Sequence, residues 1–284
     1  MNPDPEAVVA ILREVAGAEI LPRFRQLQAH EISQKSGPAD LVTAADLAAE
    51  AALAARLGAL TPGAVIVGEE GVAADPLVLE QLADAPEAWV IDPVDGTLNF
   101  AEEREDFAVI VAWVRDGQTV AGWIHTPVAG DTVVAEAGAG AWRYPGAGDA
   151  IGAPARLAVA PALEPGGMLG ALYAGRRRTP DIVDRIKLLG TRLRHRRSAR
   201  CVGIEYRSLA RAELHYALFT RLLPWDHAAG VLIHREAGGY GRCLDGNPYR
   251  LAVTEGNLLL APDEPSWRRL ARLLGGRDPL ENPG

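Results

Sequence analysis

The sequence predicts a layered α/β fold, and three observations carry that expectation. Short apolar runs rich in Val, Ile and Trp alternate with longer segments whose apolar residues recur at helical spacing. The short runs end on turn-forming residues, as where Trp89-Val90-Ile91 meets Asp92-Pro93-Val94-Asp95-Gly96-Thr97. With 284 residues, 48% of them hydrophobic, the chain is long enough to build several such layers. A glycine-rich stretch, Gly138 to Gly152, ends the first half. An α+β subdomain over residues 1–148 and an α/β subdomain over 149–284 are therefore expected.

The elements follow in order. Asp4 to Gln28 carries Val8, Ile11, Leu12 and Val15 at helical spacing and reads as a helix. Lys35 to Asp40 reads as a loop, and an alanine-rich helix is expected from Thr43 to Leu60. Ala64 to Val67 is a short strand that runs straight into Gly68-Glu69-Glu70-Gly71. Further strands are expected at Trp89–Ile91, Phe107–Val114, Val120–His125 and Thr132–Ala137. In the second half, Ile204–Ala217 reads as a helix and Leu218–Leu223 as a strand. Trp225–Ala237 is a helix with Ala228, Val231 and Leu232 on one face and Gly238-Gly239 as its stop. Leu258–Ala261 is a late strand and Glu264–Leu274 a last helix.

Composition narrows the function. The net charge of -8, from 37 acidic and 29 basic side chains, argues against a general nucleic-acid binder. It also disfavours an anionic substrate unless a bound cation reverses the local field. Two cysteines, Cys201 and Cys243, cannot form a four-cysteine zinc site, and both read as buried thiols in a reducing compartment. The chain opens on the acidic stretch Met1 to Glu6, and no apolar run reaches membrane-spanning length. A cytoplasmic protein without a membrane partner is expected.

The chemistry-bearing residues are carboxylates. Asp92 and Asp95 flank a proline just past a strand end, where both can converge on one point. Magnesium accepts one or two carboxylates together with waters and substrate phosphate. Gly96 and Thr97 then offer backbone N–H groups and a hydroxyl to a phosphate. From spacing alone, an ordinary acidic turn explains the segment equally well. Glu69 and Glu70 end the preceding strand, a common place for active sites in α/β sheets. Thr43-Ala44-Ala45-Asp46 fits a helix capping box, and the same acid at a helix start can orient a water. Asp226, alone, reads as a helix-starting acid; Ala228, Ala229 and Gly230 after it permit close approach. His227 and His234 lack metal-site spacing, and Ser198 sits in no nucleophile elbow. The cluster Arg192, Arg194, His195, Arg196 and Arg197 reads as a solvated face, with a role in holding a second phosphate as the alternative.

Taken together, Asp40 to Asp46, Gly68 to Glu70, Trp89 to Phe100, and Trp225 to Gly230 through Gly239 resemble the inositol monophosphatase family over nearly the whole chain. That resemblance implies an α-β-α-β-α sandwich of the inositol monophosphatase/fructose bisphosphatase type, a homodimer, and two or three Mg²⁺ ions with lithium sensitivity. It implies Glu69, Asp92, Asp95, Asp226 and the Val94 carbonyl as metal ligands. Asp46, Glu69 and Thr97 are the implied catalytic residues. Lys35, Asp95, Gly96, Thr97, Arg200, Val202, Phe219 and Asp226 are the implied substrate contacts. The implied reaction is hydrolysis of a small phosphate monoester by a metal-activated water.

The alcohol side departs from the family pattern. Phe219 stands seven residues before Asp226, where family members acting on inositol phosphate usually carry a glutamate. Ala199-Arg200-Cys201-Val202 follows Arg197-Ser198 where a Gly-Ser or Gly-Thr pair and alanines are usual, and Leu98 stands where threonine is common. A doubly anionic or less polar monoester is therefore expected to do better than inositol phosphate. Fructose 1,6-bisphosphate, histidinol phosphate and a nucleotide 3'-phosphate are the alternatives. A non-catalytic, metal-binding regulatory protein is the alternative of another class.

Overall fold

A computed structural model describes residues 2–37, 40–146, 152–173, 186 and 193–275. Its centre is a seven-stranded sheet in simple sequence order. The strands are β3 (Val65–Gly68), β4 (Glu87–Asp95), β5 (Ala108–Arg115), β6 (Gln118–Thr126), β7 (Asp131–Glu136), β8 (Gly140–Tyr144) and β9 (Ala155–Arg156). β3 and β4 are parallel and every later pair is antiparallel.

Both faces of this sheet are buried, and alternation assigns them. Trp89, Ile91, Val109, Val111, Trp113 and Trp123 point to one side. There they meet Val8, Val9, Leu12 and Val15 of α1 (Pro5–Val15) and Ala45, Ala49, Leu53 and Leu57 of α2 (Ala44–Leu60). The opposite face presents the smaller Ala88, Val90, Ala108, Ile110 and Ala112. It takes α4 (Leu77–Asp84), α6 (Val202–Ala210) and α7 (Pro224–Glu236).

Beyond these helices lies a second sheet, in the order β11 (Arg194–Arg196), β10 (Leu169–Tyr173), β12 (Tyr216–Arg221), β14 (Glu255–Ala261) and β13 (Tyr240–Cys243). Ala217, Phe219, Leu258 and Leu260 face the helices. Tyr216, Leu218, Leu259 and Ala261 face Trp267 and Leu270 of α8 (Glu264–Leu273). Helix, sheet, helix, sheet and helix follow one another, the sandwich expected from the sequence.

Small residues bring α7 close to the central sheet. A Cβ at Gly122 on β6 would lie 2.7 Å from Ala229 Cα, and one at Gly230 would lie 2.1 Å from the Tyr206 ring. The close approach foreseen for Ala228-Ala229-Gly230 is thus made by the protein's own sheet and an aromatic ring. α6 is fixed by charge: Arg207 and its C-cap residue Arg211 join Arg143 on the buried Asp131. Burial alone would raise the Asp131 pKa, but hydrogen bonds from Thr126, Arg143 and Arg207 hold it down at about 2.

Five expected boundaries move. β4, expected to stop at Ile91 ahead of a turn, runs on through Pro93 to Asp95, with an irregular register between Asp92 and Asp95. The first helix stops at Val15 and continues as a π-turn through Ile20. Lys35 lies not in a loop but on β1 (Ile32–Gly37), paired antiparallel with β2 (Asp40–Thr43). Gly138 and Gly140 turn at φ 82° and 84° into another strand, so the glycines there make a hairpin. The helix expected over Ile204–Ala217 ends at Ala210. Ala212 turns left-handed at φ 60°, and Tyr216 and Ala217 pair with β10 and β14 instead. Sheet pairing there outweighs the helical propensity of Ala210-Arg211-Ala212-Glu213-Leu214.

Gly122→Val should destabilise the protein by about 1–3 kcal/mol, because the β6–α7 contact has no room for a side chain. Chemical denaturation checks this. A midpoint equal to that of the wild type would show that the approach is not tight.

Candidate active site

Parallel pairing of β3 with β4 puts their C-terminal ends side by side, Gly68 opposite Ile91. Glu69 opens α3 (Glu69–Ala74) directly after β3, and Asp92 and Asp95 end β4. The starts of α2 and α7 bring Asp46 and Asp226 to the same place. Charge repulsion from Glu69 reaches Asp46, Asp92, Asp95 and Asp226.

Asp46 is fully buried at the third position of α2. The Thr43 backbone N–H and hydroxyl donate to its Oδ2 at 2.9 and 2.5 Å, the capping box read from the sequence. Its other oxygen, Oδ1, stands 3.1 Å from the Thr97 hydroxyl, which also lies 3.0 Å from the Val94 carbonyl. Burial pushes the Asp46 pKa up to about 6 against the Thr43 bonds. Capping thus uses one oxygen and leaves the other for Thr97.

Lys35 reaches from β1 to Glu69 Oε1 at 2.9 Å and Glu70 Oε1 at 2.5 Å. Burial works against its charge, but Glu69 and Glu70 keep its pKa above the ordinary lysine range. Burial raises Glu70 to about 7, opposed by the Lys35 hydrogen bond. Glu50, one helical turn beyond Asp46, accepts the Glu70 and Gly71 N–H groups at 2.8 and 2.7 Å. Its carboxylate lies over Gly68, where a Cβ would meet it at 2.3–2.5 Å. A side chain there would have to displace the Glu50 carboxylate from the Glu70 and Gly71 N–H groups, so Glu50 and Gly68 together shape the corner that Glu69 opens.

Asp95 is gripped by the start of α6. Gly203 N–H donates to its Oδ2 at 2.5 Å and the Cys201 thiol at 3.0 Å. Burial raises its pKa to about 6 against these bonds. Gly96 follows at φ 88°, with the Asp106 carbonyl 2.9 Å from any added Cβ. Glycine is therefore required before α5 (Thr97–Ala101). Asp92 accepts the Val94 N–H at 3.1 Å. Asp226 lies close enough to Asp92 for their charges to repel. Burial, then repulsion from the neighbouring acids, pushes both pKa values well above the carboxylate range.

Among the described residues, no three His, Cys, Asp or Glu side chains already form an ion cage. The donors nevertheless suit a hard divalent cation, since they are carboxylates and a peptide carbonyl. Lys35 offsets part of the charge that a cation would otherwise neutralise.

Not every expected residue joins this group. Val202 does: its backbone N–H bonds Asp95 from the first position of α6. Arg200 adjoins it with a left-handed backbone at φ 58°, its guanidinium 2.6 Å from Glu102. Phe219 does not, because it lies 1% exposed in the core, stacked on Tyr206 at 5.2 Å and edge-on to His227. Of the arginine cluster, Arg196 pairs with the buried Glu205, Arg194, His195 and Arg197 are exposed, and Arg192 lies outside the described residues. His227 stays neutral, between the Tyr206 hydroxyl at 2.9 Å and the Arg221 carbonyl at 2.7 Å; burial lowers its pKa to about 4. Both cysteines are buried free thiols.

Sequence reading missed Glu50, Asn99 and Glu205. Asn99 Nδ2 donates to the Asp106 and Ala199 carbonyls, both at 2.7 Å, and Glu205 accepts the Ala199 N–H at 2.7 Å. For Glu50, the four-residue spacing from Asp46 was the available signal. Asn99 and Glu205 reach partners far along the chain, and nothing local marks them.

These carboxyls predict how pH acts on the metal-free fold. Asp46, Asp95 and Glu70 have folded pKa values of about 6, 6 and 7, above their unfolded values. Their contribution is complete below the unfolded pKa and is lost as pH rises through the folded one. With chelator present, Asp95→Asn should lose less Tm than the wild type between about pH 5 and pH 7.5, a comparison in which the opposite contributions of the buried His125, His227 and His234, lowered to about 4, cancel. Equal changes in the two proteins would contradict the assignment.

The pattern of the inositol monophosphatase family matches residues 4–275. An inositol-1-monophosphatase of Mesorhizobium japonicum is 30% identical over 85% of this chain and 87% of its own. A fructose-1,6-bisphosphatase/inositol-1-monophosphatase of Thermotoga maritima is 29% identical over 73% of each chain. The crystal structure of extragenic suppressor protein suhB from Bartonella henselae superposes with a TM-score of 0.77 at 23% identity, covering 95% of this chain and 97% of that one. The chain belongs to the inositol monophosphatase family and is a phosphoric monoester hydrolase.

Proposed function

We propose that the protein hydrolyses a small phosphate monoester with the help of Mg²⁺. The observation that carries this reading is the convergence of Glu69, Asp92, Asp95 and Asp226 beside the Asp46–Thr97 pair. Two or three Mg²⁺ ions, held by those four acids and the Val94 carbonyl, would neutralise the phosphate oxygens and lower the pKa of the attacking water.

The protein's own groups do the rest. The Thr97 hydroxyl, Asp46 and Glu69 would orient the water, and Asp46 would accept its proton. At neutral pH Asp46, with its pKa at about 6, is ionised and able to accept one. The Gly96 and Thr97 N–H groups face the phosphate. Lys35 keeps Glu69 and Glu70 in place. Family membership also underlies the expectation of lithium inhibition and of a cytoplasmic homodimer.

The alcohol is the open half of the substrate. Phe219 is turned into the core against Tyr206 and takes no part on that side. Inositol phosphate is a poor fit instead because of Arg200 and Cys201, which stand where the family usually carries small residues. A doubly anionic ester such as fructose 1,6-bisphosphate, the bisphosphate in the Thermotoga relative's name, fits better.

Release of inorganic phosphate from a panel of monoesters, with and without Mg²⁺, tests the reading. Activity should vanish on chelation, return with Mg²⁺, and fall by at least about a hundredfold in Asp95→Asn while the fold survives. Full activity after exhaustive chelation would overturn it.

A further inference from the structure

The segment from Arg196 to Cys201 is held on several sides, yet it extends one long cationic side chain to the end of the helix that Gly96 and Thr97 open. Glu205 takes the Ala199 N–H and the Arg196 guanidinium, at 2.7 and 2.8 Å. Asn99 takes the Ala199 carbonyl at 2.7 Å, and the Arg200 N–H donates to Ser198 Oγ at 3.1 Å. The next residue, Cys201, bonds Asp95. This network keeps Arg200 left-handed at φ 58°, a conformation that persists only where the surroundings over-determine it. Its Cα is therefore fixed one residue from a group that contacts an active-site acid.

The guanidinium is held far more loosely. It meets Glu102, the C-cap of α5, the helix opened by Gly96 and Thr97. The two side chains are 32% and 46% exposed. Ion pairs so open to water contribute little and exchange readily. Lys35 and Arg196 are tied to more buried acids, Glu70 and Glu205. Arg200 thus combines a fixed base, a mobile head and a weak resident partner. A guanidinium also matches phosphate and carboxylate oxygens in bidentate fashion.

We propose that Arg200 is the subsite for a second anionic group on the alcohol of the substrate, and that Glu102 occupies it until that group displaces it. The proposal rests on the phosphatase reading above. It assigns the substrate class as a phosphate monoester that carries a further phosphate or carboxylate. It also gives Glu102 a role: as a competing anion, it discriminates against singly charged esters.

The test compares 2-phosphoglycerate with glycerol 2-phosphate, two esters that differ by one carboxylate. The readout is the ratio of their kcat/KM values in the Mg²⁺-loaded wild type, Arg200→Ala, Arg200→Lys and Glu102→Gln. Arg200→Ala should lower the ratio by roughly tenfold, the range of a charge-assisted hydrogen bond. Arg200→Lys should recover part of it, and Glu102→Gln should raise it above the wild type through a lower KM for 2-phosphoglycerate. Ratios unchanged in Arg200→Ala, or lowered in Glu102→Gln, would overturn the subsite while phosphatase activity stands. Failure of the wild type to release phosphate from either ester would overturn the phosphatase reading and the subsite with it.

Discussion

Carboxylates crowded out of water repel one another, and the rest of this structure is arranged around holding them together. Burial and mutual repulsion drive Asp92 and Asp226 far toward their protonated forms. Four of the acids are nevertheless held by neighbouring groups. Thr43 and Thr97 hold Asp46, α6 holds Asp95, Val94 holds Asp92, and Lys35 holds Glu69. Most of these holders are backbone N–H groups or hydroxyls at helix starts and turns, whose dipoles favour negative charge without adding a competing cation. An acid set kept in place at such electrostatic cost is explained by a divalent cation that relieves the repulsion.

That demand reaches into the packing. Asp226 sits in the first turn of α7, and α7 lies where it does because Gly122 and Gly230 remove the side chains that would push it away. Asp95 meets the start of α6, and α6 is pinned to the sheet by Arg207 and Arg211 on Asp131, beyond its far end. Gly96 is required by a contact within the site, where it faces the Asp106 carbonyl at positive φ, and Gly68 leaves room for the Glu50 carboxylate. The site is thus a property of the layered fold and not of one loop.

Much of this was legible in the sequence. The Thr43–Asp46 capping box, the strand-ending acids and the Trp225–Ala237 helix rest on local rules, and the structure follows them closely. Long-range contacts were not legible. Nothing near Glu50 marks the two N–H groups it accepts some twenty residues on, at Glu70 and Gly71. Ala210 to Ala217 has helical composition, yet sheet pairing claims its end. Phe219 was placed at the pocket by its position along the chain, but strand alternation turns it into the core against Tyr206. Side-chain direction on β12 depends on register, which only the partner strands fix.

The central claim is that these acids exist in their close arrangement to bind a divalent cation. Calorimetric titration of Mg²⁺ at pH 6.5, in buffers of different ionisation enthalpy, measures it directly through proton release. Burial and repulsion hold the Asp92 and Asp226 pKa values up, so binding should release protons and the apparent enthalpy should change with the buffer. Asp226→Asn should remove most of that dependence. Mg²⁺ binding with no proton release, or no binding at all, would contradict the account.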